Sequence, residues 1–512
     1  MENKFTPRDG SAISLWQAYN IQSRANATVS EKESCDVLII GAGITGVTTA
    51  LMLQSRGKKC VLVEANHVGF GTTGGTSAHL NTFFDATYPG VEKDFGKESA
   101  KLLAQAGKDT FSIIKDFINS LAIDCDYAEK PGILYAEDEA QAQQLQQIKE
   151  SSIEAGVEVC DTSDNKIPVD FTAALKFVAQ GQFHPLRYLE GLVKEFLRLG
   201  GVLYENSRVV KIESDDDIHL VHIQDRSLIK ARNVVYATHV PPGFNLFNFR
   251  CAAYRSYVIA VKLKEENYPE ELIYDMQEPY HYIRTHNVDG QSLLLIGGED
   301  HKTGQGNEEE SLRRLTDYAS AYFDISEVVH GWSSQYYVPV DGLPYIGAYP
   351  GHKNTYLATG FNGNGMIFGT LAGQVISDQI LRKENPYSQL FDPSRIKPIA
   401  GFKEWVKENA DVAVHFVKDR LNVEGLESLQ QIPADSGQVV ELDGEKLAVY
   451  KSKDGKIHAL SPVCSHAGCI VKWNPLEKSW DCPCHGGRYD PLGNVLTGPP
   501  RKPLEEVSPP SK

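Results

Sequence analysis

The chain has 512 residues, 41% hydrophobic and 23% charged, with a formal net charge of −16. That length carries two or three domains with a sizeable core, and the acidic balance argues against nucleic acid or an anionic membrane surface as partner, since both select basic patches. No uncharged apolar run reaches the length of a membrane span, and the opening MENKFTPRDGSAISLW lacks the apolar core of a secretory signal. The cytoplasm is therefore the expected compartment.

After a polar lead-in (1–34), CDVLIIGAGITGVTTALMLQSRGKKCVLVEA reads as strand, helix, strand, with Gly57 capping the helix. Gly41, Gly43 and Gly46 form GxGxxG at the first junction, around Ile44 and Thr45, and Glu64 ends the second strand. Gly41 suits the tight turn, Gly43 lets the backbone approach a pyrophosphate, and Gly46 lets helix pack on strand. The helix N-terminus offers free N–H groups to the phosphates, and Glu64 can accept from a ribose diol. The fingerprint alone leaves NAD and FAD open.

Residues 93–121 read as an amphipathic helix, and 123–185 as short strands and turns. YLEGLVKEFLRLGGVLYENSRVVKIES is helix then strand, and VVYATH at 234–239 a short buried strand. Residues 251–300 alternate and are rich in aromatics, which predicts antiparallel strands. A Gly-rich turn then leads into a helix in YLATGFNGNGMIFGTLAGQVISDQIL. Pro393, Pro398 and Gly401 mark a boundary, and 402–421 has helical spacing. From 435 onward, two Asp-Gly turns between β-type runs predict a small all-β module. There is no second GxGxxG at a strand–helix junction, so electrons are expected from an organic substrate rather than from NAD(P)H.

GFGTTGGTSAHL after Glu64, VVYATH, YVPVDGLPYIG (337–347) and GFNGNGMIFGTLAGQVISDQIL (360–381) resemble the D-amino acid oxidase/glycine oxidase superfamily over residues 35–385. The resemblance implies FAD and an α/β fold, a Rossmann-like FAD-binding domain with an interwoven β-rich substrate domain. Carried over, Thr72, Thr73, Ser77 and Ala78 lie along the flavin and pyrophosphate, Val209 touches the adenine, and His79 and Thr238 sit close by. Gly363, Asn364, Gly365, Met366 and Ile367 present helix N–H groups to the flavin edge that gains negative charge on reduction. His239 is a loop residue with a local hydrogen bond. On the substrate side Tyr282 and Arg284 border the cavity, Arg284 as a carboxylate clamp, with Arg255 as a second candidate.

Four of nine cysteines fall between 464 and 484. CSHAGC and CPCHGG give Cys464-x-His466 and Cys482-x-x-His485, and two thiolates with two imidazoles suit zinc or a 2Fe–2S cluster. This constellation resembles a Rieske domain of the disulfide-bearing kind over residues 423–507. The resemblance implies Cys464 and Cys482 on one iron, His466 and His485 on the other, a Cys469–Cys484 disulfide, and GPPRKPL (498–504) as a third loop over the metal. High-potential members carry Ser where this chain has Gly487, whereas Tyr489 keeps their second hydrogen bond, so a middling potential is expected.

The expected domains are therefore 35–391 (FAD-binding segments about 35–84, 180–245 and 345–385; substrate segments about 85–180 and 246–344), a helical connector at 392–422, and a small all-β Rieske domain at 423–512. The expected function is a flavin dehydrogenase. It oxidises the C–N bond of a small amine or amino acid by hydride transfer to FAD and passes single electrons through the cluster to an external acceptor. A peroxide-forming oxidase with the cluster as redox sensor, or an electron-transfer component serving a separate oxygenase, are the alternatives.

Overall fold

The chain is described from a computed structural model covering residues 8–18, 33–163, 168–215, 217–224, 228–288, 290–396, 424–425, 429–442 and 444–508. The expected connector helix at 402–421 lies outside those residues. Strand Glu33–Ile40 pairs in parallel with Cys60–Val63 on one side and Leu228–Tyr236 on the other. The sheet continues outward to Val202–Tyr204 at one end and to Thr355–Thr359 and Tyr345–Ala348 at the other. Its central strands are buried, which is why they read as unbroken Val/Ile/Leu runs and not as alternation. Helix Ile44–Gln54 follows the first strand and packs against helix Gly365–Ile380. Gly41 has φ +103°, and a Cβ on Gly46 would stand 1.8 Å from the Gly41 carbonyl oxygen, so no side chain fits there.

A second, mixed sheet runs Ile325–Pro339, Cys251–Leu263, Gln291–Lys302, Tyr282–Val288, Leu272–Tyr274, Ala128–Ala136, Ala173–Gln182, His79–Leu80. The expected antiparallel pairing within 251–300 is present. Two expectations change. The helix expected at 93–121 is two helices, Tyr88–Phe95 and Lys97–Ser120, separated by Gly96 at φ +90°. Within 123–185 a full helix, Glu139–Glu154, interrupts the strands. It buries only Leu145 and Ser152, so the sequence shows no apolar stripe; its N-terminus is fixed instead by Asp138, which accepts from the Gln141 N–H at 2.8 Å.

The C-terminal part is two four-stranded sheets. It docks on the larger part through six buried charges. Arg8 of the N-terminal segment contacts Glu477 at 3.1 Å and Asp9 at 2.9 Å, and Arg488 contacts Asp9 at 3.1 Å and Asp481 at 3.0 Å. Arg255 of the second sheet lies 3.7 Å from Glu477 and 3.8 Å from Asp481. Ser333 adds a hydroxyl donated to Glu477 at 2.5 Å. Three guanidinium groups thus face three carboxylates, all nearly inaccessible to water. Burial alone pushes the Glu477 carboxyl up, but Arg8, Arg255 and Arg488 together outweigh it and hold the group at about 2.

A depressed carboxyl stabilises the fold above its unfolded value of about 4.3, and that contribution disappears as pH falls through the folded value. Glu477→Gln leaves three guanidiniums facing two carboxylates and should cost about 3–5 kcal/mol at neutral pH. It should also flatten the loss of stability between about pH 4.5 and pH 2. Urea denaturation across that range checks both; an unchanged midpoint at pH 7 contradicts the network's role.

Candidate functional site

A cavity of about 790 Å³ opens beside the GxGxxG turn. Gly41, Gly43, Ile44, Thr45, Glu64, Thr72, Thr73, Ser77, His79, Val209, Thr238, Gly363, Asn364, Gly365 and Met366 line it. Gly46, Ala78 and Ile367 lie behind this wall, at the helix–strand contact, under the lining and in the core respectively. Glu64 accepts from the Ala42 N–H at 2.8 Å and the Asn66 N–H at 2.9 Å, with burial pushing its carboxyl up. Ile44 N–H donates to Thr73 Oγ1 at 3.1 Å, which ties the glycine turn to the TTGG segment. The first-turn N–H groups of helix Gly365–Ile380 have no intrahelical acceptors, but the Gly363 N–H is taken by Asp85 Oδ2 at 2.7 Å. Glycine-lined backbone, helix N-termini and a buried acid along an elongated cavity fit a dinucleotide.

Of the three expected substrate residues, only Tyr282 lines the cavity, with its hydroxyl 3.1 Å from Ser256 Oγ. Arg284, expected as a carboxylate clamp, is not among the residues that line the cavity. It is fully buried, donates to the carbonyls of Ser77 (2.9 Å) and Ala78 (2.8 Å), and stacks on Trp16. Burial lowers it to about 9. Arg255 belongs to the six-charge interface. Each arginine has buried acceptors waiting in the fold, which motif reading does not reveal. His239 lines the cavity as well, 3.3 Å from Thr72 Oγ1.

The two C-terminal loops converge. Cys464 and Cys482 are buried, share a hydrogen bond and are unlinked, whereas Cys469 and Cys484 form a disulfide. The rings of His466 and His485 lie edge to face at 5.0 Å, and Nδ1 of each is buried without a hydrogen-bond partner. Two buried thiols and two buried imidazole nitrogens without partners, on loops that meet, fit a Cys₂His₂-ligated 2Fe–2S cluster. Tyr489 OH lies 3.2 Å from Cys464 Sγ. Gly487 has no room for the serine of high-potential relatives: a Cβ there would meet Pro500 Cδ at 2.8 Å. Filling that space trades the hydroxyl for a proline wall.

Pro500 has a second face. With Leu496, Thr497, Gly498 and Arg501 it lines the dinucleotide cavity, so one loop separates the two sites. The loop is pinned by Arg501 donating to the Pro242 carbonyl (2.7 Å), Gly243 N–H donating to Pro499 O (2.7 Å) and Arg208 donating to Val495 O (2.9 Å). Nearby, Thr72 donates to the Gln335 carbonyl at 2.8 Å, and the Gln335 side-chain amide donates to Gly486 O at 2.9 Å. The imidazole edges meet the larger domain too. His466 Nε2 donates to Asn248 Oδ1 at 3.2 Å, and His485 packs edge to face on Phe249 at 5.5 Å.

Sequence reasoning missed Gln335, Asn248, Asp85, Asp300 and the second face of the 495–501 loop. Asp300 left one trace, as the second of two acids, after Glu299, that follow the apolar LLLIGG run; the others depend on contacts between distant segments.

Residues 36–379 match the family model described as FAD dependent oxidoreductase, and 426–508 the Rieske [2Fe-2S] domain. The chain is 36% identical to the Rieske 2Fe-2S iron-sulfur protein YhfW of Bacillus subtilis, covering 94% of each. It is 24% identical to gamma-glutamylputrescine oxidoreductase of Escherichia coli over 69% of this chain and 84% of that one. Glycine oxidase from Geobacillus kaustophilus shares the fold with a TM-score of 0.60 at 20% identity, over 71% of this chain and 99% of that one.

Cys469→Ser or Cys484→Ser should leave a cluster that assembles but decays faster, because the loops lose a cross-link and no ligand, whereas Cys464→Ser or His485→Ala should lose it outright. Iron and sulfide assays over time check this; four identical outcomes contradict the division. Asn248→Leu removes the side-chain acceptor on His466. An acceptor makes imidazole a stronger donor and favours oxidised iron, so voltammetry should show a raised potential in the variant; no change, or a fall, contradicts it.

Proposed function

The chain belongs to the FAD-dependent oxidoreductase family and carries a C-terminal Rieske [2Fe-2S] domain, and on that premise we propose a flavin dehydrogenase that oxidises the C–N bond of a small amine or amino acid and delivers single electrons to an external acceptor. The FAD held by the larger domain supplies a hydride acceptor, and the 2Fe–2S cluster held by the smaller one supplies a one-electron carrier. The chain's own residues position and insulate them. Glu64, the glycine turn and the first turn of helix Gly365–Ile380 hold the dinucleotide, and Tyr274, Tyr280, Tyr282 and Tyr336 wall the substrate end with aromatic surface that excludes water.

One observation carries the reading: Pro500 lines the cavity on one face and packs on the cluster loop at Gly487 with the other. The dinucleotide cavity and the cluster loop thus meet across Pro500. The Thr72–Gln335–Gly486 hydrogen bonds run alongside it and fix the spacing. Nitrogen as the site of oxidation is supported by the printed names of similar proteins, a glutamylputrescine oxidoreductase and a glycine oxidase.

Anaerobic mixing with a panel of amines and amino acids should bleach the flavin with at least one of them. His466→Ala, which lacks an iron ligand, should bleach at the native rate, while turnover with a one-electron acceptor should fall at least tenfold. Full acceptor turnover in that variant makes the cluster a bystander and overturns the electron route.

A further inference from the structure

The substrate end of the cavity is lined by the acids Asp85, Asp275, Glu278 and Asp300, and by the imidazole of His79, while no lysine is among the described lining residues. Asp300 lines it with Oδ2 accepting from Tyr336 OH at 2.7 Å, while its other oxygen, Oδ1, is buried and accepts no hydrogen bond. Asp85 lines the same end and converges with the Tyr280 hydroxyl: a Cβ on Gly363 would be 3.0 Å from Asp85 Oδ2 and 3.2 Å from Tyr280 OH. Among the described lining residues the arginines are Arg208, beside Glu64, and Arg501, on the C-terminal loop. The arginines placed to clamp a carboxylate, Arg284 and Arg255, are consumed by Ser77, Ala78 and the interface.

From this geometry we propose that the cavity takes a diamine, an organic cation without an α-carboxylate, whose distal ammonium is held by Asp300 and Asp85 within the tyrosine ring. The inference rests on the C–N oxidation reading and narrows its substrate. A carboxylate pair would repel an amino acid's carboxylate, whereas an ammonium gains charge-assisted hydrogen bonds and the faces of Tyr280, Tyr282 and Tyr336. The acids do not hold the reacting nitrogen. Oxidation moves a C–H pair to the acceptor as hydride while the nitrogen lone pair forms the C=N bond, so that nitrogen must be neutral. A neighbouring carboxylate favours its protonated form instead. Two nitrogens are therefore needed: a neutral one at the redox centre and a charged one at the acids. Burial pushes Asp300 up to about 6, helped by the charge of Asp85 and opposed by hydrogen bonds from Ser256 and Tyr336 and by nearby His281. An ammonium bound there relieves that penalty.

The test is calorimetric titration of the holoenzyme, reduced with dithionite under argon so that no turnover occurs, with diaminobutane, butylamine and glycine. Diaminobutane should bind at least tenfold more tightly than either of the others. Asp300→Asn should weaken it about ten- to a hundredfold, as expected for a hydrogen bond to a charged group, and leave butylamine unchanged. Asp85→Asn, checked for native FAD content, should act in the same direction. Tighter binding of glycine than of the diamine, or full diamine affinity in both variants, overturns the proposal and leaves C–N oxidation standing. Binding of none of the three overturns the proposal, and the C–N oxidation reading then stands or falls on flavin bleaching by the wider panel.

Discussion

Six buried charges at one interface set the arrangement on which the rest depends. None of Arg8, Asp9, Arg255, Glu477, Asp481 and Arg488 tolerates burial alone, because an unpaired ion out of water costs several kcal/mol. Their charges balance only when three separate stretches meet: the N-terminal segment, the second sheet of the flavoprotein, and the Rieske domain. Apolar burial tolerates sliding; a set of paired guanidinium and carboxylate groups does not. The network thus fixes the rotation and register of the small domain, and with them everything that the 495–501 loop touches.

From that register follow the contacts at the redox centres. The loop reaches the cavity at Leu496–Gly498 and Arg501 while Pro500 backs the cluster loop. The imidazole edge of the ligand set faces inward, against Asn248 and Phe249 of the flavoprotein. An inward-facing edge suits a donor in the same chain. The same geometry accounts for Gly487: a side chain there would push Pro500 away from its place between the cluster loop and the cavity.

Much of this was legible in the sequence where function depends on local spacing. The glycine turn with Glu64 is a contiguous device, and Cys464, His466, Cys482 and His485 announce themselves by ligand type at short intervals. The Cys469–Cys484 link was reached only through family resemblance. Arg284 and Arg255 misled because an arginine near a substrate strand looks alike whether it meets a ligand or a buried carbonyl; only the fold shows that Ser77, Ala78, Glu477 and Asp481 claim them. The helix Glu139–Glu154 hid because its glutamine-rich surface buries almost nothing. Asp85 and Gln335 act across hundreds of residues, on Gly363 and Gly486, and no local pattern encodes such pairs.

The central claim is that reducing equivalents from the substrate pass to the cluster inside one chain. Rapid freeze-quench electron paramagnetic resonance on the native holoprotein, mixed anaerobically with a substrate that bleaches its flavin, reads this directly. The account predicts that the reduced-cluster signal rises after flavin bleaching begins, at a rate independent of protein concentration. A cluster that stays oxidised while the flavin is fully reduced, or one whose reduction rate scales with protein concentration, contradicts it.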